Sequence, residues 1–105
     1  MAKLSSLASV LRSKNAGPFL LTLDIMFDGE VRYDQVRNSG VISKQLISGL
    51  YKVSEEEVQI FEYDPAFAIK ITIHRRYPVG DERDTDIYGA QQHAPLLDIE
   101  VPEGP

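Results

Sequence analysis

Alternation of apolar and polar residues along the chain predicts the strands of a sheet. Over residues 19–27 and again over 66–74, apolar side chains recur at every second position, which is the period of a strand with one buried face. A shorter apolar run at residues 58–63 precedes the second of these, with Asp64 and Pro65 between them. The runs predict an antiparallel sheet with one apolar and one polar face. The positions predicted to face the core are Phe19, Leu21, Leu23, Ile25, Phe27, Phe67, Ile69, Ile71 and Ile73.

The residues between these strands have the spacing of two short helices. Residues 30–38 predict the first helix, with Asp28 as its N-terminal cap and Gly40 just past its end. Ser43 predicts the start of the second, because serine is a favoured N-cap residue. Both helices are expected to pack on the apolar face of the sheet. Their predicted buried positions are Tyr33, Val36, Leu46, Ile47, Leu50 and Tyr51.

The two ends of the chain have less distinct patterns. Residues 4–13 fit a helical stripe and also fit a strand that forms a hairpin through residues 15–18, and the pattern leaves both interpretations open. Residues 75–95 are a long polar connection, a kind of segment that is often functional or disordered. Residues 96–101 predict a last strand. Its inward positions would be Leu97, Ile99 and Val101.

Length and composition agree with one globular domain, and we predict a single α+β domain over residues 1–105. Hydrophobic residues make up 43% and charged residues 26%, the balance of a globular protein. Because the sequence has no cysteine, it excludes a disulfide framework, a thiolate nucleophile and an iron–sulfur cluster, and it favours a cytoplasmic location. The first residues lack the apolar run of a signal peptide, and no stretch approaches the roughly 18 apolar residues of a membrane span.

The net charge disfavours one class of partner. The formal net charge is −5 at pH 7 and the pI is about 4.9. Nucleic-acid binding requires cationic surface that neutralises phosphates, so DNA and RNA are not expected partners. Membranes are not expected partners either, and no cofactor is predicted.

Two polar segments with glycines form the candidate site. Residues 12–17 and 84–93 are the densest polar clusters, and binding residues concentrate on such loops. Arg12 and Lys14 are suited to holding a carboxylate or a phosphate, and the amides of the same segment are suited to an oxyanion. The candidate ligand-binding residues are Arg12, Ser13, Lys14, Asn15, Gly17, Tyr88, Gln91 and Gln92.

The second segment also contains the candidate catalytic residues. Asp86 and His93 have the side chains of an acid–base pair. Together with Asp84 they offer three possible metal ligands, but Pro95 occupies the position where a calcium loop needs an acidic residue, and no metal is predicted. A purely structural interpretation stays open, in which the aspartates cap turns and His93 bonds to backbone.

Four stretches of the chain carry a resemblance to known proteins. They are LASVLRSKNAGPF (residues 7–19), LTLDIMF (21–27), DPAFAIKIT (64–72) and DTDIYGAQQHAPLLDIEVP (84–102). Together they resemble a family of small bacterial proteins of unknown function, which in turn is similar to the C-terminal domain of acyclic terpene utilisation proteins. That domain has a strand that ends in an Arg-Ser-rich loop, matched here by residues 12–17. The resemblance implies a ferredoxin-like fold and favours a strand at residues 4–13.

The resemblance also implies work beside a larger protein. We therefore expect a small accessory or ligand-binding subunit that acts with a larger metabolic enzyme in organic-acid or acyl-CoA catabolism, or that forms a homo-oligomer. The alternatives are a stand-alone hydratase or lyase that uses Asp86 and His93, and a structural assembly module. An enzyme would show a concave pocket at the two loops, whereas a subunit would expose apolar surface.

Overall fold

The computed structural model describes residues 2–16, 19–74 and 96–102, which form an α+β fold. The strands are β1 (Ala2–Lys3), β2 (Val10–Asn15), β3 (Leu20–Met26), β4 (Val58–Tyr63), β5 (Ala68–His74) and β6 (Glu100–Val101). The helices are α1 (Leu4–Leu7), α2 (Glu30–Ser39) and α3 (Lys44–Tyr51), with 3₁₀ turns at Glu55–Glu57 and Asp64–Ala66. β2, β3, β5 and β4 form, in that order, one antiparallel sheet, which is compatible with a ferredoxin-like fold.

The register gives the sheet two different faces. Leu23 in β3 lies opposite Ser13 on one side and Ile71 on the other, and the rows on either side of this one also place apolar residues on the same face. We call this the apolar face. The opposite side, the polar face, carries Val10, Arg12, Lys14, Leu20, Thr22, Asp24, Met26, Gln59, Phe61, Tyr63, Ala68, Lys70, Thr72 and His74.

One core cluster joins the apolar face to the helices, as predicted. Tyr33 and Val36 of α2 and Ile47 of α3 are buried together with the inward residues of β3 and β5. The buried positions in the two central strands are Leu21, Leu23, Ile25, Ile69, Ile71 and Ile73, and Leu4, Phe27, Val58, Leu96, Ile99 and Val101 complete the cluster.

The predictions for two of the core positions are wrong, because both residues are exposed. Phe19 is 50% exposed because it precedes β3, in the turn from β2, where the alternation of the strand no longer applies. Leu50 is 36% exposed. It lines a shallow depression on the outer side of α3 with Leu46 and Gly49, because the helix fully buries only Ile47.

The helix ends match their local signals with one exception. Gly40 ends α2 with φ of 71°, a left-handed conformation that glycine adopts without strain. The hydroxyl of Ser43 accepts a hydrogen bond from the Leu46 amide at 3.1 Å, so it caps α3 as predicted. The prediction for Asp28 is wrong, because the N-cap of α2 is Gly29 and no side chain caps that end.

The chain ends combine the two interpretations of residues 4–13. A single helical turn, α1, comes first, and the strand β2 follows it. At the other end only Glu100–Val101 form a strand, and they pair with β1 rather than with the main sheet, so the predicted strand at 96–101 is too long. Leu96 is buried and Leu97 only half-buried, because residues 96–98 turn before Ile99.

Candidate functional site

The first predicted segment lies in the sheet rather than in a loop. Arg12 to Asn15 pair with Asp24 to Leu21 as part of β2, so the expectation of a polar loop at residues 12–17 is wrong for these four residues. Since side chains alternate along a strand, Arg12 and Lys14 share the polar face, whereas Ser13 lies on the apolar face. The structure therefore brings the two cations together and separates Ser13 from them.

The second predicted segment and Gly17 of the first lie outside the described residues. This applies to the candidate acid–base pair and to four of the ligand-binding candidates; the residues are Gly17, Asp86, Tyr88, Gln91, Gln92 and His93. The register does show where the sheet ends before this segment. His74, the last residue of β5, lies opposite Leu20, which is the first residue of β3 after the hairpin turn. β5 therefore ends at the same end of the sheet as the turn between β2 and β3.

A row of charged residues crosses the middle of the polar face. Asp24 of β3 has Arg12 of β2 on one side and Lys70 of β5 on the other. The Arg12 Nε donates to Asp24 Oδ2 at 3.0 Å, and their side chains are 61% and 15% exposed. A guanidinium carries five N–H donors, so this bond occupies one of them. The row thus holds a mostly buried carboxylate between two exposed cations.

A third cation lies in the next row of the same face. Lys14 pairs with Thr22, which pairs with Thr72. Thr22 is buried, and its hydroxyl donates to the Lys14 carbonyl at 3.3 Å, which ties the edge strand to the centre of the sheet. Among the described residues, neither Lys14 nor Lys70 forms an ion pair.

These three cations around Asp24 form what we call the cationic patch: Arg12, Lys14 and Lys70. Its formal charge with Asp24 included is positive, in a chain whose net charge is −5. Exposed cations attract anions, and charge-assisted hydrogen bonds from Arg and Lys to carboxylate or phosphate are stronger than neutral ones. The patch is therefore suited to binding an anionic group, and the binding of a ligand by Arg12 and Lys14 stays a prediction.

The sequence did not single out Lys70 or its aromatic neighbours. Phe61 lies directly opposite Lys70, and Tyr63 follows two residues later on the same face. The alternation over residues 66–74 did place Lys70 on the polar face. Its contact partners depend on strand order and register, which a single sequence does not show.

A second cluster of charged and aromatic groups links α2 to the turn between β4 and β5. The hydroxyl of Tyr33 donates to the Asp64 carboxylate, and the Arg37 Nη1 donates to the same oxygen at 3.2 Å. The Arg37 Nη2 lies 3.0 Å from Asp34 Oδ1, and the guanidinium lies 5.3 Å from the centroid of the Tyr33 ring. The cluster joins two elements that are 31 residues apart in sequence.

The chemistry of this cluster is structural. Burial, followed by the hydrogen bond to Asp64, raises the pKa of Tyr33 to about 12. The phenol therefore stays protonated at neutral pH, where it serves as a hydrogen-bond donor and not as a base. The rings of Phe27 and Phe67 flank it with centroids 6.1 and 6.0 Å away, a normal spacing for packed aromatic rings.

Neither metal ligation nor a membrane crossing is seen in the part of the chain that the structure describes. Over residues 2–16, 19–74 and 96–102, no three His, Cys, Asp or Glu side chains are grouped so that they could hold a metal ion. Of the helices in these ranges, none combines the length and the apolar composition that a membrane crossing needs.

Comparison with known proteins identifies one family. A family model described as "Domain of unknown function (DUF4387)" matches residues 4–100, which is nearly the whole chain. No curated protein and no solved structure gives a significant match.

Proposed function

The chain belongs to the DUF4387 family of domains of unknown function, and we propose that it is an accessory or ligand-binding subunit that holds an anionic small molecule on the polar face of its sheet. The observation that carries this proposal is the cationic patch. Arg12, Lys14 and Lys70 lie in adjacent strands on one face, although the chain as a whole is acidic. A concentration of like charge at one place favours a ligand of the opposite sign.

Among the described residues, Asp24 forms an ion pair with one of the three cations of the cationic patch. Its carboxylate holds Arg12 in position at 3.0 Å, and this pairing uses one donor of the guanidinium. Lys70 lies beside Asp24 in the same row, and Lys14 lies in the next row, two residues from Arg12 along β2. An anion that contacts both ammonium groups would also lie close to the remaining Arg12 donors. Such an anion adds negative charge where three cations are opposed by one carboxylate, so its binding relieves their mutual repulsion.

The biological setting of the proposal comes from sequence resemblance. Residues 84–102 and the three earlier stretches resemble a small bacterial family, and the resemblance of that family to the C-terminal domain of acyclic terpene utilisation proteins favours a bacterial, cytoplasmic subunit that works beside a larger metabolic enzyme. The ligand would then be an organic acid or a CoA ester, both of which carry anionic groups. These features support the proposal in addition to the geometry of the polar face.

We expect removal of two of the cations to weaken anion binding. In the double variant Lys14→Gln/Lys70→Gln, affinity for a dicarboxylate such as succinate, or for a CoA ester, should fall at least about tenfold, since a charge-assisted hydrogen bond contributes roughly 1.5–3 kcal/mol. Affinity should also fall as salt concentration rises, because the patch is exposed. Isothermal titration calorimetry, first at low and then at raised ionic strength, measures both effects.

Lys44→Gln/Lys52→Gln is the matched control. Lys44 and Lys52 are exposed lysines at the two ends of α3, so replacing both changes the net charge by the same two units but leaves the polar face intact. The affinity of this control should stay within about twofold of wild type, as expected for a solvated surface charge. Equal losses in both variants, or ligand-induced amide shifts outside β2, β3 and β5, would contradict the proposed site.

The subunit is also expected to associate. β2 and β4 are the outer strands of the sheet among the described residues, and such edges readily pair with another chain. Light scattering at micromolar concentration should show a mass above that of a monomer, or affinity purification from the native cell should recover a larger enzyme identified by mass spectrometry. A clean monomer that recovers no partner would contradict the proposed subunit role.

A further inference from the structure

Two exposed aromatic side chains lie beside the cationic patch. Phe61 is 55% and Tyr63 61% exposed, and both belong to β4. Because they are two residues apart in a strand, they point to the same side of the sheet. That side is the polar face, since Phe61 pairs with Lys70 and Tyr63 with Ala68. Large aromatic rings exposed next to each other on a face with fixed cations are a feature of ligand-binding surfaces.

The register places these rings at one end of the charged row. Phe61, Lys70, Asp24 and Arg12 occupy successive strands, so the row crosses three interstrand spacings, about 14 Å in total. The neighbouring row, which contains Tyr63, continues through Ala68, Met26 and Val10 and is apolar. The face therefore combines an aromatic end, an adjacent cation, and further cations at the opposite edge.

We propose that the ligand of this face is a phosphorylated nucleoside, whose base stacks on Phe61 or Tyr63 and whose phosphates bind Lys70 and the cations beyond it. This inference rests on the proposed function and deepens it by naming the ligand class. Aromatic side chains on a sheet provide stacking platforms for bases. Lysine and arginine supply the charge-assisted bonds that phosphates accept. An extended nucleoside diphosphate has the length to join the two ends of this row.

A monomeric nucleotide fits the surface better than a nucleic-acid chain. Polymer binding depends on a basic groove that follows many phosphates. Here the net charge is −5, and the cationic patch consists of Arg12, Lys14 and Lys70 with Asp24 among them. This surface can neutralise the phosphates of one small ligand.

The test compares ADP with inorganic pyrophosphate, each titrated into the full chain and followed by calorimetry and amide shifts. ADP should bind at least tenfold more tightly than pyrophosphate, and its shifts should include β4 as well as β5. Phe61→Leu keeps the apolar bulk but removes the aromatic ring. This variant should lower the affinity for ADP about five- to hundredfold and leave the affinity for pyrophosphate unchanged. Phe61→Tyr should restore ADP affinity. Val31→Ala, at an exposed position of α2, should have no effect.

The outcomes separate this inference from the proposed function. If pyrophosphate and ADP bind with equal affinity and Phe61→Leu changes neither affinity, the proposal of a nucleotide ligand is overturned while that of the anion site stands. If neither phosphate ligand nor a dicarboxylate binds, both proposals are overturned. If a single-stranded oligoadenylate binds more tightly than ADP at physiological salt, the monomeric ligand is overturned. Wild-type-like amide spectra of the variants exclude unfolding as the cause.

Discussion

Leu23→Ala is expected to lower the free energy of unfolding by about 2–5 kcal/mol, the range for a large-to-small change in a packed core. Leu23 is fully buried in β3, one of the two central strands, and Ser13 and Ile71 lie beside it in the register. Its side chain belongs to the cluster that joins the sheet to both long helices, so the cavity left by alanine would be enclosed on all sides. Urea denaturation followed by circular dichroism measures the change.

Leu50→Ala provides the matched control. It makes the same chemical change at a position that is partly exposed on α3. Less apolar surface is lost, and alanine has a higher helix propensity than leucine, so we expect a cost below about 1 kcal/mol. A loss for Leu23→Ala that is no larger than that for Leu50→Ala would contradict the assignment of the apolar face.

Tyr33→Ala is expected to cost about 3–5 kcal/mol, because it removes a fully buried aromatic ring from between Phe27 and Phe67. Tyr33→Phe keeps the ring and removes only the hydroxyl that donates to Asp64. Since Asp64 is largely exposed and keeps its bond to Arg37, we expect this smaller change to cost about 1 kcal/mol. The difference between the two variants separates packing from hydrogen bonding, and thermal or urea unfolding measures both.

The same tyrosine makes stability depend on pH in the alkaline range. The folded-state pKa of Tyr33 is raised from 10.0 to about 12, mainly by burial and then by the bond to Asp64. A raised pKa means that the folded state keeps a proton that the unfolded state has lost, so this contribution is fully present below pH 10 and is lost as pH rises toward 12. Burial also raises the pKa of Tyr51, so this tyrosine likewise contributes stability that is lost at alkaline pH.

A pH titration followed by absorbance at the phenolate band tests the raised pKa of Tyr33 directly. In the wild-type protein one tyrosine should ionise near pH 12, and Tyr33→Phe should remove that component. Asp64→Asn should shift it toward lower pH, because the carboxylate that favours the protonated phenol is gone. Ionisation of Tyr33 near pH 10 in the folded wild type would show that the phenol is neither buried nor bonded as described.

Features that depend on neighbouring residues follow from the sequence itself. The alternation at Leu21, Leu23 and Ile25 predicts the strand and its buried face, because the pleat of a strand is a local geometry. The cap at Ser43 and the left-handed end at Gly40 are equally local, since each depends on the backbone of a few adjacent residues. The sequence also indicates that Arg12 and Lys14 are suited to anions, which their residue type determines.

Which of the apolar positions are covered, by contrast, depends on how distant segments of the chain pack together. A periodic pattern shows where apolar residues point but not where an element stops being covered, so it predicts Phe19 and Leu50 to be core residues although both are exposed.

A periodic pattern likewise does not show which residues meet on the polar face. Lys70 joins Arg12 because β5 pairs with β3, and Phe61 joins them because β4 pairs with β5; both pairings depend on strand order and register. Local propensity contains no information about either, since many registers satisfy the same alternation. Packing of the helices on one face selects among them and thereby brings three cations and two aromatic rings to the other.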